Sequence, residues 1–227
     1  MKSATQFDEF WRVELHCHTQ ASFDSLTKPE AIVRACREKG VDRIAITDHN
    51  TMAGVAAVQA LAPDLVIPGE EIKTAEGELI GWFMTEEIPR GLSLEETIAR
   101  LRAQGAVIGV PHPLDSLRMG SALGEEALMR VIDQVDALEV LNARCLRQGD
   151  NDRARAIARA HGKLMTAGSD AHAAREIGAA VMIMPPFHDA ESFRQSLAAA
   201  HIEGRLSGGH VRLFSTYAKV VKKLFRK

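Results

Sequence analysis

Arg12-Val13-Glu14-Leu15-His16-Cys17-His18 leads a short apolar run into two histidines one residue apart, and the same succession of run and donor recurs along the chain. Residues 43–47 run into Asp48-His49, residues 64–68 into Gly69-Glu70-Glu71, residues 106–110 into Pro111-His112-Pro113, and residues 163–166 into Gly168-Ser169-Asp170-Ala171-His172. A lone His-x-His pair says little, since most histidines are solvated or hydrogen-bonded in a core. Five donor segments, each at the end of a run of strand length, say more. They converge if the runs are neighbouring strands of one sheet.

Working outward, further runs of strand length lie at 79–84, 137–141 and 180–184, beside that at 12–15. They lack strict alternation, as expected of strands buried on both faces. Helical signals separate them. Thr27-Lys28-Pro29-Glu30 reads as a capping box with an early-turn proline, and Gly40 as the stop. Ser93-Leu94-Glu95-Glu96 opens a second helix closing near Gly105, and others are expected over 51–61, 125–134, 151–160 and 189–200. Strands alternating with helices imply a parallel α/β sheet of barrel type, whose chemistry sits at the carboxyl ends of the strands. No internal repeat, low-complexity tract or linker divides the chain, so one domain over 1–227 is expected.

The 227 residues are 46% hydrophobic and 26% charged, which excludes a disordered chain. Net charge is −2, yet the stretch after Glu203 carries seven basic residues and no acid, leaving −9 on the rest. An acidic body suits cations and disfavours a duplex-embracing surface, so no stable nucleic-acid partner is expected. Three cysteines without CxxC spacing (Cys17, Cys36, Cys145) suggest reduced thiols and argue against a structural zinc module. Residues 1–10 lack the apolar core of a signal peptide, and no run reaches membrane-span length. A cytoplasmic location follows as the expectation. The basic tail, about 211–227, spaces Leu213, Tyr217, Val220, Val221 and Leu224 as the apolar face of a helix that packs on the barrel.

In extended chain, side chains two apart point the same way, so His16 and His18 can face one ion while Cys17 packs behind. Mixed imidazole and carboxylate donors suit zinc, manganese or iron better than magnesium or calcium. The segments VELHCHTQASFDS, IAITDHNT, VIPGEEI, GVPHP and AGSDAH, in order over residues 13–172, resemble the PHP (polymerase and histidinol phosphatase) family of metal-dependent phosphoesterases. That resemblance implies a distorted seven-stranded, TIM-like β/α barrel with two or three divalent ions at its mouth. It implies His16, His18, Glu71 and Asp170 as ligands of a first ion, Glu71 as a bridge to a second with His112, and Asp24, His49 and His172 on a third. Two positions depart from the family pattern: Asp24 and Glu78 stand where many members have histidine, and both keep a competent donor. Glu71 rather than Glu70 takes the ligand role, Glu70 pointing away. Asp48 is assigned to orienting His49 or managing a proton.

Three such ions bring about six positive charges against roughly four from Asp24, Glu71, Glu78 and Asp170, a surplus that suits a phosphate dianion. Water shared by two ions becomes a nucleophile near neutral pH, which predicts direct in-line hydrolysis of a small phosphorylated metabolite or nucleotide. Arg144 is a candidate to grip phosphate in bidentate fashion. Arg118, Arg147 and Arg175 read as solvated, and His161, His188, His201 and His210 as structural or exposed. Competing readings are an oligonucleotide end-trimming nuclease, an amidohydrolase-type barrel and a metal-stabilised accessory module.

Overall fold

Eight apolar runs become strands because helices cover one side of the sheet and a packed interior the other. A computed structural model describes residues 10–225; expectations for residues 1–9, and for Arg226 and Lys227 of the tail, fall outside them. The strands are β1 Trp11–Glu14, β2 Arg43–Ile46, β3 Val66–Lys73, β4 Glu78–Trp82, β5 Val107–Val110, β6 Ala137–Asn142, β7 Leu164–Gly168, β8 Ala180–Met184 and β9 His201–Gly204. The helices are α1 Pro29–Lys39, α2 Ala53–Gln59, α3 Leu94–Ala103, α4 Gly124–Val131, α5 Gln148–Ala160, α6 Ala190–Ala198 and α7 Arg212–Phe225. The strands form one sheet in the order β7-β6-β5-β4-β3-β2-β1-β8-β9, coiled into a distorted, nearly closed barrel.

Two expectations are corrected here. Among the described residues the sheet has nine strands, not seven, and it is mixed. β1-β2-β3 and β5-β6-β7 are parallel, whereas β4 runs against both its neighbours, β8 against β1, and β9 against β8. The reversal at β4 follows from chain length. Thr74 and Gly77 close a tight turn, with Thr74 N–H donating to Gly77 O at 2.8 Å, and a parallel crossover needs a dozen or more residues. β9 escapes a hydrophobicity reading because it is an exposed edge containing His201, Glu203 and Gly204.

The barrel interior is filled by side chains from successive strands, among them Val13, Leu15, Ala45, Ile67, Val107 and Ala167. Trp82 is the largest buried side chain there, and its indole N–H donates to Leu15 O at 3.1 Å. Gly109 makes room for it: a Cβ at that position would lie 2.3 Å from the indole. A second cluster packs α3, α4 and α5 on β4 to β6, and a third packs α1 and α2 on β2, with Cys17 at its edge.

Caps are formed in part as expected. Ser93 Oγ accepts Glu96 N–H at 3.1 Å, and Gly40 ends α1 at φ 62°. Thr27 does not cap α1. Its hydroxyl instead donates to His172 O at 2.9 Å, which ties the start of the helix to the last donor segment. α7 forms where a helix was expected but faces the other way. It docks through Val211, Ser215 and Ala218, leaving Leu213, Tyr217, Val220 and Leu224 exposed. Polar ties hold it: Arg144 reaches Ser215 Oγ at 2.8 Å, and Lys222 donates to the carbonyls of Gln20 and Ser22. No helix among the described residues is long and apolar enough to cross a membrane.

Candidate metal centre

Glu71 is the hub. β3 outruns β2, so Glu71 lies inside a strand rather than beyond its end, and an isolated parallel bridge to His49 registers the two segments. His16 Nε2 and His18 Nε2 each lie 3.4 Å from Glu71 Oε2, and His18 Nε2 lies 3.4 Å from Asp170 Oδ1. Donors sharing a tetrahedral ion at bonds of ~2.1 Å sit about 3.4 Å apart. His16 to Asp170 is wider, at 3.8 Å.

The other predicted donors adjoin this group. His112 Nε2 is 3.1 Å from Glu71 Oε1 and 3.8 Å from Glu78 Oε2. His49 Nδ1 is 3.0 Å from Glu71 Oε2, and its Nε2 is 3.6 Å from Asp24 Oδ2. His172 Nε2 is 3.3 Å from the same Asp24 oxygen. All nine residues therefore meet at one end of the barrel. Glu70 does turn away, accepting the Ile88 N–H at 2.9 Å.

These residues fit divalent cations. His16 Nε2, His18 Nε2, Glu71 Oε2 and Asp24 Oδ1 are buried without a hydrogen-bond partner, and an orphaned buried polar atom costs about 1–3 kcal/mol. Burial and the neighbouring His172 and His49 push His18 down to about 3, so it is a neutral imidazole as a ligand must be. Burial opposes protonation of His16, but Glu71, Asp170 and Glu139 outweigh it and hold that pKa well above the usual histidine value. Burial opposes ionisation of Glu71 and Asp170 as well. Histidines at Glu71, and Arg118 with His16 at Asp170, pull both far below the carboxylate range. Glu78 is raised by burial and then by Glu71, the mark of two acids awaiting a cation.

The surrounding shell contains groups that sequence reading passed over. Glu139, inside apolar β6, lies 3.1 Å from His16 Nδ1 and accepts the His112 N–H at 2.7 Å. It thus orients two donors at once. A charge within an otherwise apolar strand was the available signal. Glu14 is a second such charge: it accepts N–H groups from His16, Ser169 and Gly178, and burial pushes it up to about 7. Backbone strain supports the same picture. His112 (φ 30°) and Asp170 (φ 52°) lie in the left-handed region, each at a cost of order 1–3 kcal/mol met by the surrounding bonds.

Asp48 bears on His49 through an intermediary, and Arg144 is engaged elsewhere than a phosphate grip requires. Asp48 accepts from Thr19 N–H (2.7 Å), Thr19 Oγ1 (2.7 Å) and Ser22 Oγ (2.6 Å), and Ser22 Oγ lies 3.2 Å from His18 Nδ1. It therefore sets the turn behind His18 and reaches His49 through the same serine, whose Oγ accepts the His49 N–H at 3.0 Å. The guanidinium of Arg144 is buried against Glu176 at 2.9 Å and against α7, and meets the donor segment only at its backbone, donating to Asp170 O at 3.5 Å. Arg118 is the arginine that reaches them. Its Nη2 is 2.5 Å from Asp170 Oδ2, and its Nε is 3.0 Å from Asp115 Oδ2. Arg175 lies 3.5 Å over the Phe214 ring, and Arg147 bonds Ser116 at the surface.

A barrel mouth with this set of imidazoles and acids is that of a metal-dependent hydrolase, with clusters suited to two or three ions. Known proteins agree. Residues 14–98 match the PHP domain model and residues 148–202 the PHP-associated model. An uncharacterized protein of Methanocaldococcus jannaschii is 38% identical over 146 residues, 58% of this chain and 82% of that protein. A 5'-3' exoribonuclease of Haemophilus influenzae is 29% identical over 122 residues, 47% of this chain and 44% of its own. Among solved structures, a two-domain protein of Bacteroides vulgatus described as containing a predicted PHP-like metal-dependent phosphoesterase superposes with a TM-score of 0.72. It is 17% identical, and the match covers 89% of this chain and 68% of that one. The chain belongs to the PHP domain family.

Proposed function

We propose that this protein hydrolyses a small phosphate monoester, a phosphorylated metabolite or nucleotide, at the Glu71-centred site. The observation that carries this reading is a permanently charged guanidinium, Arg118, held beside Asp170 at the edge of the donor cluster. In this reading His16, His18, Glu71 and Asp170 hold one ion, Glu71, Glu78 and His112 a second, and Asp24, His49 and His172 a third. Zinc, manganese or iron there would supply Lewis acidity, acidifying water and neutralising phosphoryl charge.

The chain's own residues do the positioning. Arg118 takes a phosphoryl oxygen in the role first considered for Arg144, because it is planar, always charged and already at the mouth. Glu139 fixes the His16 ring and the His112 backbone, and Asp48 fixes the His18 turn through Ser22. Water attacks in line, without a covalent enzyme intermediate.

The test is phosphate release by protein loaded with manganese, zinc or iron. Substrates would be p-nitrophenyl phosphate, its bis ester, mononucleotides and short oligoribonucleotides. Turnover of monoesters with inversion at phosphorus is expected; a trapped phosphoenzyme or retention would overturn the mechanism. A second reading, trimming of oligonucleotide ends, draws on the likeness to the Haemophilus exoribonuclease. Preference for diesters and oligomers would put it first.

A further inference from the structure

The barrel does not close. The sheet order ends at β7 on one side and β9 on the other, so among the described residues both present backbone edges that pair with no further strand. Near the metal centre the gap is stitched: Ser169 Oγ, just past β7, accepts the Ala180 N–H of β8 at 3.1 Å. Farther along the seam, residues of β7, β8, β9 and α6 line a cavity of about 710 Å³. Pockets that enclose a drug-sized ligand run to roughly 300–1,000 Å³.

Its lining has two parts. Leu164, Met182, Leu197 and Ile202 form an apolar floor, and Arg155, Lys163 and Arg205 are cations on its walls, with His201 beside them. No acid lines it. Lys163 Nζ spends one donor on Val135 O at 3.2 Å. Among the described residues no ion pair or side-chain hydrogen bond ties the guanidinium of Arg155 or Arg205. Positive groups lining one cavity with apolar surface and without any carboxylate complement a ligand that is negative at one end and apolar at the other.

We infer that the β7–β9 seam is a binding site for a small amphipathic anion, a phosphate or carboxylate carried on a single aliphatic or aromatic body. The apolar body lies on the floor of the cavity, and the anionic head meets Arg155 and Arg205. The site is separate from the metal centre and does not depend on the hydrolytic reading.

Titration calorimetry on the full chain tests this with octyl phosphate, octanoate, octanol and inorganic phosphate, with and without EDTA. Octyl phosphate and octanoate should bind in both conditions, and octanol and inorganic phosphate at least about tenfold more weakly. The R155A/R205A double variant, at half-buried and exposed positions, should lose at least about tenfold in octyl phosphate affinity while keeping wild-type melting behaviour and metal content. R155K/R205K should keep most of the affinity, because charge rather than fork geometry is invoked. Equal binding of octanol, disappearance of binding in EDTA, or unchanged affinity in R155A/R205A would each overturn the site.

Discussion

Glu71 stands within 3.4 Å of three imidazoles through one oxygen, and of His112 through the other at 3.1 Å, whereas Asp170 meets three imidazoles, so among the described residues no other carboxylate meets as many. Glu71→Gln should therefore lower metal content and reduce phosphate release by on the order of 100-fold or more, read by elemental analysis beside a turnover assay. Glu139→Gln acts one bond further out. It should weaken metal binding by about 10- to 100-fold with the fold intact, and an unchanged affinity would remove Glu139 from the positioning shell. At residue scale the donors were legible because polar side chains ending apolar runs have few other uses. Arg118 and Glu139 were not, because what singles them out is contact across 52 and 123 positions with Asp170 and His16. Arg144 turns to Glu176 and Ser215 for a related reason: position after a strand places a backbone but does not choose the partner of a long side chain.

α2 begins directly behind the Asp48 turn, and Gly54 is what lets it approach. A Cβ there would fall 1.9 Å from Asp48 Oδ2 and 2.4 Å from Thr19 Oγ1. Gly54→Ala should destabilise the protein by about 1–3 kcal/mol in denaturant melts and loosen His18 with it. Arg144, itself held by Glu176, is one of the ties on α7. Removing Arg144 leaves Glu176 uncompensated, a loss of about 3–5 kcal/mol, and frees Ser215. Arg144→Ala should thus expose α7 to limited proteolysis before the barrel, and equal protection of both would contradict the tie. Most elements could be read from apolar runs and caps. Two could not: β9, which buries too little to leave a pattern, and the facing of α7, decided by small Ser215 and Ala218 rather than by its larger apolar residues.

For the whole molecule, the metal centre is a stability device as well as a reactive one. Donors from β1 through the segment after β7 enclose one volume, so ions bound only by the folded chain shift the folding equilibrium by mass action. At 100 times the dissociation constant each ion adds about 2.7 kcal/mol. For a domain of this size that raises the melting midpoint by roughly 5–10 °C. Manganese or zinc added to chelator-stripped protein should give such a rise by calorimetry, and none in Glu71→Gln. Overall architecture was visible from the alternation of runs and helices, but strand direction was not: hydrophobicity marks a strand without giving it a heading.

The tight turn between Thr74 and Gly77 has a consequence for assembly. It brings Lys73 opposite Glu78 and Glu71 opposite Ile80, so two acids of the centre come together within a single hairpin. Such a hairpin closes in about 1–10 μs, long before distant segments arrive. A nascent chain thus prepares one wall of its ion cage early, and does so against the mutual repulsion of that wall's own carboxylates.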